Sequence, residues 1–95
     1  MSYTLAGIDV HKKVLMVVLG DASQPHWKLQ RQRFGATTPE LKRLAEWLTQ
    51  RDTQEVVMES TAQYWKPVWM VLEPHLKLHL AQAQSNRAPR GRKND

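Results

Sequence analysis

Two short apolar segments of this chain each close on an acid: Asp9 in Gly-Ile-Asp-Val-His-Lys and Glu59 in Val-Val-Met-Glu-Ser-Thr. A carboxylate at the end of a buried strand sits where sheet meets solvent, and two such groups brought together repel unless a cation neutralises them. The segments are far apart in sequence. The fold must therefore carry the chain over a crossover and lay the second strand beside the first, which a helix between parallel strands achieves. A further acid, Asp95, ends a basic stretch and is a third candidate for the same cluster. Paired carboxylates at adjacent strand ends are how metal-dependent phosphoryl-transfer sites are built.

The hydrophobic period changes in an order that fits this requirement. Thr4 to Val10 and Val14 to Leu19 are apolar on both alternating faces, as in central strands covered on both sides, and His11-Lys12-Lys13 joins them as a hairpin. Trp27 to Phe34 alternates poorly and is rich in Arg and Gln, which predicts an edge strand guarded by long charged side chains. Thr37-Thr38-Pro39-Glu40 reads as a helix start, with a Thr cap, Pro at the first helical position and an acid in the first turn. Leu41, Leu44, Ala45 and Leu48 then share one face of a helix running to about Arg51. Glu55 to Glu59 is a short strand. Trp65, Val68, Trp69 and Leu72 mark a second helix, which Pro67 obliges to start near Tyr64 and which ends before Pro74. Leu76, Leu78 and Leu80 alternate with Lys77 and His79 as a fifth strand.

The resulting order, β-β-β-α-β-α-β, is that of an α/β, ribonuclease-H-like mixed five-stranded sheet with flanking helices. Residues 1–83 are expected to form one small domain and residues 84–95 a basic tail.

Charge and composition narrow the partners. The net charge is +5, and from Gln84 onward Arg87, Arg90, Arg92 and Lys93 face Asp95 alone, a pattern suited to a polyanion. The same composition also describes a solvated end. There is no cysteine, which fits a reducing, cytoplasmic setting. Val14 to Leu19, the longest apolar run, is six residues, too short to cross a bilayer, so no membrane association is expected. His75 and His79 have the spacing of a zinc pair on a helix, but on an alternating segment they stand about 13 Å apart. His11 is expected to cap the hairpin turn.

Gly7-Ile8-Asp9-Val10-His11-Lys12, Thr37-Thr38-Pro39-Glu40-Leu41, Met58-Glu59-Ser60-Thr61-Ala62-Gln63-Tyr64-Trp65 and Gly91-Arg92-Lys93-Asn94-Asp95 together resemble the amino-terminal, RuvC-like domain of the DEDD insertion-sequence transposases. The resemblance implies that Asp9, Glu59 and Asp95 are the first three catalytic acids. It also implies that they bind Mg2+, with Mn2+ able to substitute, and that the fourth acid and the family's final helix lie past Asp95. It implies DNA transposition by a bacterial or archaeal protein, completed by a serine from a separate domain and guided by a structured bridge RNA. Lys12, Lys13, Tyr64, Arg87, Arg90, Arg92 and Lys93 are then the candidate nucleic-acid contacts, and a homo-oligomer is expected. This chain alone is expected to be inactive. Thr61-Ala62 departs from the family's frequent Thr-Gly, so the turn is expected to do without positive φ.

Two other readings fit parts of the pattern. One is a non-catalytic nucleic-acid-binding or dimerisation module of the same fold. The other is a nucleotide-binding fold of the actin and sugar-kinase kind, which needs a Gly- and Thr-rich turn where this chain has His11-Lys12-Lys13.

Overall fold

A computed structural model describes residues 3–26 and 28–81. The elements are β1 (Thr4–Val10), β2 (Val14–Asp21), β3 (Gln30–Gly35), α1 (Thr38–Gln50), β4 (Thr53–Ser60), α2 (Trp65–Leu72) and β5 (Lys77–Ala81). They form one five-stranded sheet in the order β3-β2-β1-β4-β5. β1 pairs antiparallel with β2, and β2 with β3, while β4 runs parallel to both β1 and β5. The order expected from the hydrophobic periods is the order observed.

Strand alternation decides which side chains enter the core. Ala6, Ile8 and Val10 of β1, Leu15, Val17 and Leu19 of β2, and Val56 and Met58 of β4 point to one face and are buried there. Leu41, Leu44, Ala45 and Leu48 of α1 and Val68 and Leu72 of α2 close over them in a single cluster. Trp47, Trp65 and Trp69 pack half-buried at its margin. The opposite face carries Gly7, Met16, Val18 and Val57 and is uncovered among the described residues, with Met16 and Val57 exposed. The expectation that β1 and β2 are covered on both sides is corrected to this extent: both described helices lie on one face.

Three further differences have local causes. β3 begins at Gln30 and not at Trp27, because pairing with β2 starts at Leu19 opposite Gln30. At the start of the preceding loop the Asp21 carboxylate folds the chain back, accepting from Tyr3 N at 3.0 Å, Ser23 N at 2.9 Å and Ser23 Oγ at 2.7 Å. β4 begins two residues earlier than Glu55, at Thr53. A register shift between Thr4 and Leu5 accommodates Gln54, whose Oε1 accepts from Thr4 N at 2.9 Å. The cap of α1 is Thr37 and not Thr38, and no threonine hydroxyl serves it. Thr37 instead accepts Leu41 N through its carbonyl at 2.9 Å.

The side-chain contacts at this end of α1 are made by Glu40. Its Oε1 accepts from Gly35 N at 2.9 Å and from the Arg43 guanidinium at 2.9 Å, and Oε2 accepts from Arg43 Nε at 3.0 Å. This ties the end of β3 to the first turn of α1. A Cβ at Gly35 would stand 3.1 Å from Glu40 Cγ, so the close approach favours glycine there. Arg43 first, and then the Gly35 amide, hold the Glu40 carboxyl down at about 2, from an ordinary 4.5. Between those values the unfolded chain binds the proton and the folded chain does not. The contribution of Glu40 is therefore full above about pH 4.5 and lost as pH falls through about 2. Glu40→Gln should flatten the acid limb of stability against pH in that window and leave the neutral limb unchanged in shape, as urea unfolding at stepped pH would read.

Candidate active site

The alternation that buries Ile8, Val10 and Met58 forces their neighbours Asp9 and Glu59 to the opposite, uncovered face. The parallel pairing then sets them side by side: Asp9 and Glu59 are direct register partners, as are Ile8 with Met58 and Val10 with Ser60. Adjacent strands lie about 4.8 Å apart, close enough for two carboxylates to share one cation. Thr61 N donates to Val10 O at 3.2 Å, so the ladder continues past the acids and fixes their relation. Both acids are exposed to solvent.

His11 turns back onto the first acid. Its Nε2 lies 3.0 Å from Asp9 Oδ2, while its backbone N–H closes the hairpin by donating to Val14 O at 3.0 Å. The expected turn-capping role is thus filled by the backbone, and the imidazole orients Asp9. In the sequence, only the short spacing of the two residues hints at this pairing.

The turn after Glu59 keeps the backbone shape that a glycine would favour. Ala62 adopts φ of 48°, which corrects the expectation that Ala at this position avoids positive φ. A left-handed alanine costs about 1–2 kcal/mol, part of which glycine would return as unfolded-chain entropy. Ala62→Gly should therefore raise unfolding stability by about 0.5–1 kcal/mol, seen as a higher urea midpoint at unchanged slope.

The other candidate residues divide by position. Lys12 and Lys13 are exposed in the hairpin directly beyond Asp9, and Tyr64 is exposed just before α2, so all three stand at the acid end of the sheet. Asp95, Arg87, Arg90, Arg92 and Lys93 lie outside the described residues, as do the boundary at residue 83 and the tail. His79 Nε2 is 2.7 Å from Glu55 Oε1, and His75 lies in a groove between the helices with Lys42 and Val71. Among the described residues no group of three or more His, Cys, Asp or Glu stands close enough to hold a metal ion. Asp9 and Glu59 open instead onto a shallow groove of about 560 Å³ that also takes in Met16, Val57 and Arg31.

The fold is similar to several solved structures at identities that speak for architecture alone. RuvC of T. thermophilus, solved in complex with a Holliday junction substrate, aligns at a TM-score of 0.63 and 11% identity, over 90% of this chain and 68% of that one. The PPX-GPPA enzyme of Aquifex aeolicus aligns at 0.62 and 8%, over 90% of this chain and 38% of that one. Another Aquifex aeolicus Ppx/GppA family structure aligns at 0.57 and 10% identity, over 90% and 37%. The chain thus spans less than two fifths of those Ppx/GppA proteins. The likeness to RuvC shows a RuvC-like, ribonuclease-H-like fold. The chain itself belongs to the DEDD transposase family of the IS110 type, whose model, described as a transposase, matches residues 6–95. Among curated proteins there is no match.

Proposed function

We propose that this domain is the catalytic amino-terminal part of a DNA transposase and that Asp9 and Glu59 bind a divalent cation used in DNA strand cleavage and transfer. The observation that carries the reading is the parallel register that sets Asp9 beside Glu59 on the solvent-facing side of the sheet. The donor set is all oxygen and doubly negative, which suits a hard cation such as Mg2+ or Mn2+. When bound, such an ion polarises a phosphoryl oxygen and offsets charge that develops in the reaction.

The chain's own groups supply the rest. Asp9 and Glu59 hold the ion, His11 keeps the Asp9 carboxylate in one orientation, and Lys12 and Lys13 sit where they would meet phosphates beside it. Asp95 is proposed as a third acid on the family resemblance, with Tyr64, Arg87, Arg90, Arg92 and Lys93 as further nucleic-acid contacts. DNA is the proposed substrate. RuvC, of like fold, was solved on junction DNA, and the family is one of transposases. A guide RNA and self-association remain part of the proposal through the resemblance. No described helix is long and apolar enough to cross a membrane.

The second reading, a binding or dimerisation module without catalysis, draws on the pair of acids being only two among the described residues. A strand-cleavage assay in Mg2+ separates the two. A transposase carrying this domain should lose cleavage on Glu59→Gln while still binding DNA. Undiminished cleavage would favour the module.

A further inference from the structure

β3 alternates with an unusual division of charge. Gln32 and Phe34 point toward the helices, whereas Arg31 and Arg33 point to the uncovered face that carries the acids. The register places Arg33, Met16, Asp9 and Glu59 in one row across the sheet, and Arg31, Val18, Gly7 and Val57 in the next. Arg33 is thus two strands from Asp9, about 10 Å between backbones. Between them in that row stands the exposed Met16, while in the next row Gly7 has no side chain and a Cβ built on it meets nothing within 4 Å.

Other arginines of the sheet and α1 are already engaged. Arg43 pairs with Glu40 and stacks 4.4 Å from the Phe34 ring, and Arg51 stacks 4.4 Å from Trp47 and hydrogen-bonds Gln30. Among the described residues Arg31 and Arg33 have no acid partner, although Arg31 lines the same groove as Asp9 and Glu59. Guarding an exposed edge would account for any long charged side chain on β3. It does not account for two guanidinium groups, without an acid partner among the described residues, on the side facing the acids. A face with carboxylates at one row end and guanidinium groups at the other fits a polyanion whose reacting phosphate reaches the acids through a cation while its neighbours meet the arginines.

Resting on the DNA reading above, we propose that Arg31 and Arg33 form a phosphate clamp that lays a DNA strand across the open sheet face toward Asp9 and Glu59. The test uses the 95-residue chain and a B-form DNA duplex, with binding measured between 50 and 200 mM salt. Each phosphate contact contributes about 0.9 to the slope of log affinity against log salt. Arg31→Gln with Arg33→Gln should therefore flatten the slope by about 1.8, so that the variant loses about tenfold less affinity than the parent over that range. Lys42→Gln with Lys66→Gln removes the same charge from exposed positions on α1 and α2 and should leave the slope unchanged. In the unmodified chain, the side-chain Nε–Hε signals of Arg31 and Arg33 should shift on adding the duplex, a readout that does not depend on a variant folding. Equal slopes for the two double variants, or arginine signals that stay fixed while DNA binds, would overturn the clamp. Metal binding lost on Asp9→Asn in the same samples would leave the acid-pair assignment standing even then.

Discussion

Glu59→Gln and Asp9→Asn, each placed in a transposase carrying this domain, should reduce Mg2+-dependent DNA strand cleavage by at least about a thousandfold. The size follows from how the pair works: groups that act as one catalytic unit fail nearly completely when one is removed, and the losses do not add. Each substitution keeps the shape and removes the charge. A lone carboxylate offsets only half of a divalent charge, so the ion is lost or displaced, and with it the stabilisation of charge developing at phosphorus. The double variant should be little worse than either single one. DNA binding should persist, because its electrostatic part would come from the Lys and Arg side chains proposed above. Single-turnover cleavage beside a binding assay reads both. A fall of less than tenfold would remove the acids from the reaction.

The largest stability loss is expected at Phe34. Its ring is fully buried at the end of β3, opposite Leu15. It meets Trp47 edge-on at 5.7 Å and lies under the Arg43 guanidinium at 4.4 Å. Phe34→Ala should cost about 3–5 kcal/mol through lost burial and the cavity left behind. Domains of this size are stable by about 5–15 kcal/mol, so the variant should unfold at least about 12 °C below the parent. Val57→Ala, on the open face of the same sheet, should cost less than about 1 kcal/mol, since Val57 is 45% exposed. Equal losses at the two positions would mean that the uncovered face is packed.

The contrast between those residues also shows what sequence alone could and could not reveal. Leu41, Leu44, Ala45 and Leu48 at helical spacing, and Pro67 limiting the start of α2, were enough to place both helices, and the acids at two apolar strand ends were enough to propose their pairing. That one face is left uncovered follows from the family resemblance, which puts the final helix past Asp95, and not from periodicity, because Val14 to Leu19 is apolar at every position and does not say which side a helix covers. The place of Arg31 was not legible. Its face depends on the β2–β3 register, and the intervening residues 22–29 leave that register open until Leu19 is seen opposite Gln30. The positive φ of Ala62 is hidden for a different reason: residue type speaks to the cost of positive φ and not to whether the surrounding turn imposes it. The His11 contact with Asp9 depends on a side chain turning back over its own strand end, which spacing does not encode.

If Asp9 and Glu59, joined by strand register, form one divalent-cation site, manganese titration of the isotope-labelled chain, followed residue by residue through paramagnetic broadening, should show it. Asp9 and Glu59 should lose intensity first and together, with their register neighbours Val10 and Ser60 next, while Asp21, at the opposite end of the sheet, and Glu73, past the end of α2, keep their signals at the same manganese concentration. Broadening that begins at Asp21 or Glu73, or that reaches only one of Asp9 and Glu59, would contradict it.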